Sequence, residues 1–256
     1  PPSGRFGCDL PGAAKLSGNR LALAGFQPWG GYAGLPPRRQ LDLRQLSTLR
    51  LAGVRWVART DEAEQIAGLF PRNEHWLEVP DPLPKFRLVT DVLIEPNAAS
   101  ELEHNDPRTC AVVDRLPNPS EGPWVYVADD PLGRVQVRAA QAGSIEVVTR
   151  APSRQLLVMA ESYHPGWLAK VDGRPVDLVR VNGDFCGVAV PAGDHTVSLA
   201  FRPDSLRWGR GITQLGLLLV VQQYLAGRRA TGRVMPPAPS QSQSTAGVRE
   251  SLPSID

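Results

Sequence analysis

Between residues 132 and 203 apolar and polar positions alternate with a period of two, which predicts antiparallel sheet with one face buried. Val135, Val137 and Ala139 form one set, Ile145 and Val147 the next, and Leu156, Val158 and Ala160 a third, each separated by turn residues. Two dipeptides mark hairpins. Asp172-Gly173 separates residues 167–171 from 175–181, and Asn182-Gly183 separates that strand from 185–190. Both central positions of a type I′ turn need φ > 0, which Asn, Asp and Gly tolerate. Pro191-Ala192-Gly193-Asp194 then turns the chain into a strand at 196–201. Roughly seven short strands at this spacing predict a β-sandwich over 132–202, within a domain bounded at 124–203.

Upstream the period changes. Leu41, Leu43, Leu46 and Leu49, with Arg44 and Arg50 between them, predict a short amphipathic helix that Gly53 stops. A strand at 54–58, a second helix at 61–70 and strands at 76–79 and 86–94 complete a small α+β subdomain. With the polar, Pro-rich linker loop at 95–123 it occupies 41–123. Residues 1–40, rich in Gly and Pro, read as an irregular lead-in, apart from an apolar run at 21–24. The expected fold class is therefore mainly β, an antiparallel β-sandwich preceded by a small α+β subdomain and followed by one C-terminal helix.

That helix is expected at 204–227. Seventeen uncharged residues, 211–227, lie between Arg210 and Arg228. As a helix they extend roughly 25 Å, just enough to cross a bilayer. Trp208 and Tyr224 sit near the two ends, where interfacial aromatics belong. Gln214, Gln222 and Gln223 need partners in hydrocarbon. The alternative is an amphipathic helix packed on the sheet or lying among lipid headgroups. Arginines on both flanks leave the orientation open. The tail, 228–256, is polar and Pro-containing and is expected to be disordered.

The 28 basic and 26 acidic residues, net +2, are spread along the chain, so no dense basic field exists and a nucleic-acid partner is set aside. Cys8, Cys110 and Cys186 are far apart, with no Cys-x-x-Cys pair, and spell neither a disulfide framework nor a zinc site, although one bridge with a spare thiol stays open. The start, Pro1-Pro2-Ser3, carries no signal peptide and reads as that of a fragment or processed product. No nucleophile elbow, His-Glu-x-x-His, Walker loop or dinucleotide loop occurs, so no cofactor, metal or independent enzyme is expected.

Several residues have chemistry to offer. Trp167 follows the Pro165-Gly166 corner, with Tyr163 and His164 beside it, and a ring there can meet a sugar face; the structural reading, core anchors around a turn, is preferred. Asp172 can bind a sugar hydroxyl or a cation, or simply open its turn with Gly173. His195 can act as acid or base, but no partner is evident from spacing. Glu101, Glu103, His104 and Asp106 are cation-ligand types without a recognised spacing, and Asp129-Asp130 suits a turn better than paired carboxylates.

The run from Glu161 to Gly173, with Tyr163, His164, Pro165-Gly166-Trp167 and Val171-Asp172-Gly173, resembles a signature near the end of YfhO-family membrane proteins. Asn182, Phe185-Cys186-Gly187-Val188, the run from Val190 to Val197 containing His195, and Phe201-Arg202-Pro203 keep that family's order. The resemblance is strong over 160–226 and loose over the rest of 25–226, including Gly30-Gly31-Tyr32 and residues 51–57. It implies a bacterial cell-membrane protein similar to polytopic glycosyltransferases that take sugars from polyprenyl-phosphate carriers outside the cytoplasm. The implied partners are upstream membrane helices of the same protein, the lipid bilayer, and a polyprenyl-phosphate sugar or cell-envelope glycan. In such enzymes the catalytic acid sits in an early outside loop, so the resemblance carries no catalytic residue onto this chain. The motif residues, Asn182 and His195 among them, are left as candidate glycan contacts. Two rival readings are a secreted, tail-anchored carbohydrate-binding sandwich and a purely structural surface domain.

Overall fold

The computed structural model describes residues 5–7, 27–28, 41–42, 44–95, 105–117, 124 and 130–231. The chain divides into two units, Pro1–Asp204 and Ser205–Asp256.

In the first unit, strands β1 (Arg5–Gly7) and β2 (Gln27–Pro28) precede helix α1 (Leu46–Leu51), strand β3 (Val54–Ala58), helix α2 (Asp61–Glu64) and strands β4 (Phe70–Pro71) and β5 (Trp76–Glu78). These strands form one sheet in the order β2-β1-β3-β5-β4, with β1 parallel to both neighbours. The lead-in read as irregular thus contributes two strands, of three and two residues, too short to show a period. Both helices are shorter than the hydrophobic spacing predicts. Gly53, at φ 67, ends the first where a Cβ would lie 2.8 Å from the Leu83 carbonyl oxygen. Thr60 caps the second by accepting from the Ala63 N–H at 3.2 Å, and Gly68, at φ 87, reverses the chain soon after it.

The remaining strands are β6 (Phe86–Val89), β7 (Asp91–Ile94), β8 (Cys110–Val113), β9 (Arg134–Gln141), β10 (Ser144–Ala151), β11 (Gln155–Ser162), β12 (Trp167–Val171), β13 (Arg174–Val176), β14 (Leu178–Val181), β15 (Phe185–Val190) and β16 (Gly193–Phe201). Six form one sheet, ordered β6-β11-β15-β14-β8-β7, and five the other, ordered β13-β12-β16-β10-β9. The sandwich therefore recruits β6, β7 and β8 from the segment assigned by sequence to the α+β subdomain. The strand predicted at 86–94 breaks at Thr90, whose two sides occupy opposite edges of the six-stranded sheet. The strand predicted at 175–181 also breaks, at Asp177: β13 pairs with β12 in one sheet and β14 with β15 in the other.

Two cores result. Leu156, Val158 and Ala160 of β11 join Val54, Val57, Leu77 and Phe185 in the first, against the α+β layer. The alternate residues Leu157 and Met159 join Val147, Val188, Val197 and Leu199 in the second, between the two sheets. The one-faced burial predicted for the Leu156 set is thus corrected: β11 lies between two layers and both its faces are buried. The opposite correction applies to β9. Val135 packs on the second core, but Val137 is 45 % exposed and Ala139 is exposed, because β9 is an edge strand whose pairing slips between Glu146 and Val147.

In the second unit helix α3 (Asp204–Thr231) forms where a helix was predicted. No helix among the described residues is long and apolar enough to cross a membrane, which corrects the transmembrane expectation for 204–227. The physical reason lies in the run itself: Gln214, Gln222 and Gln223 dilute it between Arg210 and Arg228. Its large apolar side chains from Ile212 to Leu225 are exposed.

Candidate functional site

The motif residues fall into three places. At the Pro165-Gly166 corner, the Gly166 N–H donates to His164 Nδ1 at 2.9 Å and the Trp167 N–H to the His164 carbonyl at 3.0 Å. A Cβ on Gly166 would stand 2.8 Å from Pro203 Cα, so only glycine lets the corner close on the end of β16. The His164 and Trp167 rings both meet Phe201, with centroids 5.2 and 5.1 Å apart. Tyr163 and Trp167 pack partly buried on the second core, as the anchor reading expects. Pro165 and His164 are exposed.

The second place is the turn between β14 and β15. Asn182, at φ 50, is fully buried; its N–H donates to the Val112 carbonyl at 2.7 Å and its Oδ1 accepts from the Val112 N–H at 2.9 Å. This amide is a clamp holding β8 onto β14, a role invisible when it is read as a turn residue alone. Tyr163 is tied to the same turn by its N–H on the Asp184 carbonyl at 2.7 Å, and the Arg180 guanidinium lies 4.5 Å over its ring. Arg180 also pairs with Asp184 at 3.3 Å. Burial nevertheless raises the Asp184 carboxyl above its ordinary range, against the opposing hydrogen bond from Ser162 and the charge of Arg180.

The third place joins residues 23 apart in sequence. His195 Nδ1 lies 2.6 Å from Asp172 Oδ2, and its Nε2 lies 3.1 Å from the Ala192 carbonyl oxygen. Asp172 Oδ1 also accepts from the Thr196 N–H at 2.9 Å. A carbonyl and an ionised carboxylate can only accept, so both ring nitrogens can donate only when the ring is protonated, and the site favours the imidazolium. The hydrogen bond to Asp172 accordingly raises the His195 pKa from 6.5, and that from His195 lowers the Asp172 pKa from 3.8. Asp194, itself 3.8 Å from Arg150, and Arg174 are the other charges facing the pair. Asp172 and His195 line a hollow of about 410 Å³ with Arg174 and Pro191.

The pair predicts a pH dependence. The His195 share of stability is complete below about pH 6.5, its unfolded value, and is lost as pH rises through the raised folded value. The Asp172 share is present above about pH 3.8 and is lost as pH falls through the lowered one. Urea midpoints of the wild type and His195→Gln should therefore differ most between those values, and the difference should shrink on going to alkaline pH. A difference independent of pH from 5 to about 9 would refute the imidazolium assignment.

The structure does not gather the motif residues into one site. Trp167 and Asp172 stand at opposite ends of β12, roughly 17 Å apart by strand rise. Burial pushes the Cys186 thiol up to about 12, and Cys110 and Cys186 are both buried; Cys8 lies outside the described residues. Among the described residues no three His, Cys, Asp or Glu side chains are placed to hold a metal. Glu101, Glu103, His104 and Asp129 lie outside the described residues, Asp106 accepts from the Arg108 N–H, and Asp130 accepts from the Ser153 hydroxyl.

Sequence reading missed a cleft of about 640 Å³ around β6, lined by Phe86, Arg87 and Leu88, by Leu132 and Val135 at the start of β9, and by a few loop residues. Arg87 is only 6 % exposed. Alternation around it was visible, but a lone arginine between Phe86 and Leu88 reads as an outward-facing edge residue.

The fold and these clusters define a β-sandwich module whose signature residues build corners, clamps and turns. Residues 132–213, less than half of the chain, match the family model described as bacterial membrane protein YfhO, so that span is similar to YfhO-family proteins. No curated protein and no solved structure matches the chain.

Proposed function

We propose that this chain is the extracytoplasmic C-terminal region of a YfhO-like membrane protein that serves cell-surface glycan or lipid-linked sugar transfer, and that it is itself non-catalytic. The observation that carries this reading is the family match over 132–213, which spans most of the sandwich and the beginning of α3. The signature residues support a scaffolding role, since Gly166, Trp167 and Asn182 are engaged in holding strands and corners together. In this proposal the domain shapes the acceptor side of the enzyme, with Asp172 and His195 at the hollow as candidate glycan contacts. Its partners are the upstream membrane helices and the bilayer surface, met by the exposed apolar side chains of α3.

The test uses the intact protein in its native membrane. A cysteine at exposed Gln141, on the rim of the sandwich, placed in a Cys8→Ser background, should react with a membrane-impermeant maleimide in unbroken cells, while that background does not. Labelling of Gln141→Cys only after lysis would overturn the extracytoplasmic placement. Deleting residues 132–203 with membrane insertion unchanged should remove a sugar from the envelope glycan, and an unaltered glycan would overturn the transfer role.

A further inference from the structure

The cleft around β6 holds a charge that no described residue compensates. Arg87 Nε donates to the Pro107 carbonyl at 3.2 Å and Nη1 reaches the Pro84 carbonyl at 3.5 Å, but Nη2 is buried without a hydrogen-bond partner. No carboxylate among the described residues pairs with this guanidinium. Burial alone, with no opposing charge, lowers its pKa to about 10. Buried arginines are ordinarily matched by a carboxylate, because two neutral carbonyls repay little of the lost hydration. A donor left unsatisfied in this way marks a place where an acceptor belongs.

Two further arginines and an apolar wall surround it. Arg108 and Arg134 line the same cleft, against a single acidic residue, Asp81. Arg108 meets Asp106 only loosely, at 3.8 Å with both side chains more than half exposed, so its charge stays available. Phe86 and Leu88 face the second core, and strand alternation places Arg87 on the other side of β6, so the cleft wraps an open sheet edge with an apolar flank and a cationic one. The far wall is held in place. Gln155, fully buried, accepts from the Gly133 N–H at 2.9 Å and donates to the Pro131 carbonyl at 2.8 Å, fixing the segment that carries Leu132. A Cβ on Gly133 would come 2.5 Å from the Arg150 carbonyl oxygen, so this wall approaches as closely as a backbone can.

We propose that this cleft binds an amphiphilic organic anion, its carboxylate or phosphate held by Arg87, Arg108 and Arg134 and its apolar body lying along Phe86 and Leu132. An apolar wall beside a few convergent cationic donors is the general form of such a site.

The experiment is a methyl NMR titration of the whole chain, observing Leu88, Leu132 and Val135, with octyl phosphate, octanoate, octanol and inorganic phosphate. At least one of the two amphiphilic anions should bind at least about tenfold more tightly than either octanol or inorganic phosphate, and the tighter of the two identifies the headgroup. Arg108→Gln/Arg134→Gln, both at exposed positions, should weaken binding at least about fivefold without changing the fold, and Arg87→Met should abolish it. The rim variant keeps the test decisive should Arg87→Met fail to fold. Equal binding of octanol would reduce the cleft to an apolar crevice. Equal binding of inorganic phosphate, shifts confined to α3, or no binding of either amphiphilic anion would each overturn the proposal.

Discussion

Phe185→Ala is expected to lower the unfolding free energy by about 3–5 kcal/mol, the range for deleting a fully buried aromatic ring. Phe185 is the bulkiest of the side chains with essentially no exposure, and it lies in the core between the six-stranded sheet and the α+β layer. All six residues of β15 are buried, so no flexible neighbour is at hand to fill the space. Urea denaturation followed by far-UV dichroism reads the loss as a lower midpoint at unchanged slope. A loss below about 1 kcal/mol would mean that the ring is not enclosed as described.

Asn182→Ala is expected to cost about 2–4 kcal/mol, from two separable sources. The substitution leaves the buried Val112 N–H without its acceptor, and it places an alanine at φ 50. Asn182→Gly keeps the left-handed backbone without strain but still loses the side-chain bond. The difference between the two variants therefore isolates the backbone contribution, expected at about 1–2 kcal/mol, and the remainder measures the clamp. Equal stability of Asn182→Gly and wild type would show that the β8–β14 clamp contributes nothing. The buried Asn182 Nδ2 has no hydrogen-bond partner, which sets the clamp toward the lower part of the range.

These two residues also show how the signature is best understood. Phe185, Asn182 and Gly166 sit in the run that resembles the YfhO family, and each is explained by packing, a clamp or a close approach. A repeated motif at such positions signals a demanding fold before it signals chemistry. The features with chemistry to offer lie elsewhere or needed partners from far along the chain. His195 gains its significance from Asp172, 23 residues away, and Arg87 from Pro107, 20 residues away, and from the start of β9 across the cleft.

What the sequence determined by itself was local. The turns at Asp172-Gly173 and Asn182-Gly183 adopt positive φ at all four residues, 48, 78, 50 and 88, as the need for left-handed backbone between two apolar runs requires. Strand β3, the hairpin strands and the existence of α3 followed from period and length. The membrane-family resemblance was also legible, because motif order survives in the chain itself. Only the tertiary structure decided which sheet each strand joins, the breaks at Thr90 and Asp177 that send one apolar run into two places, the double burial of β11, and the stranded charge on Arg87. The physical reason is that propensity and turn geometry act over a few residues. Sheet pairing, burial on a second face and the company of a charge depend on groups tens of residues away, and no local pattern encodes them.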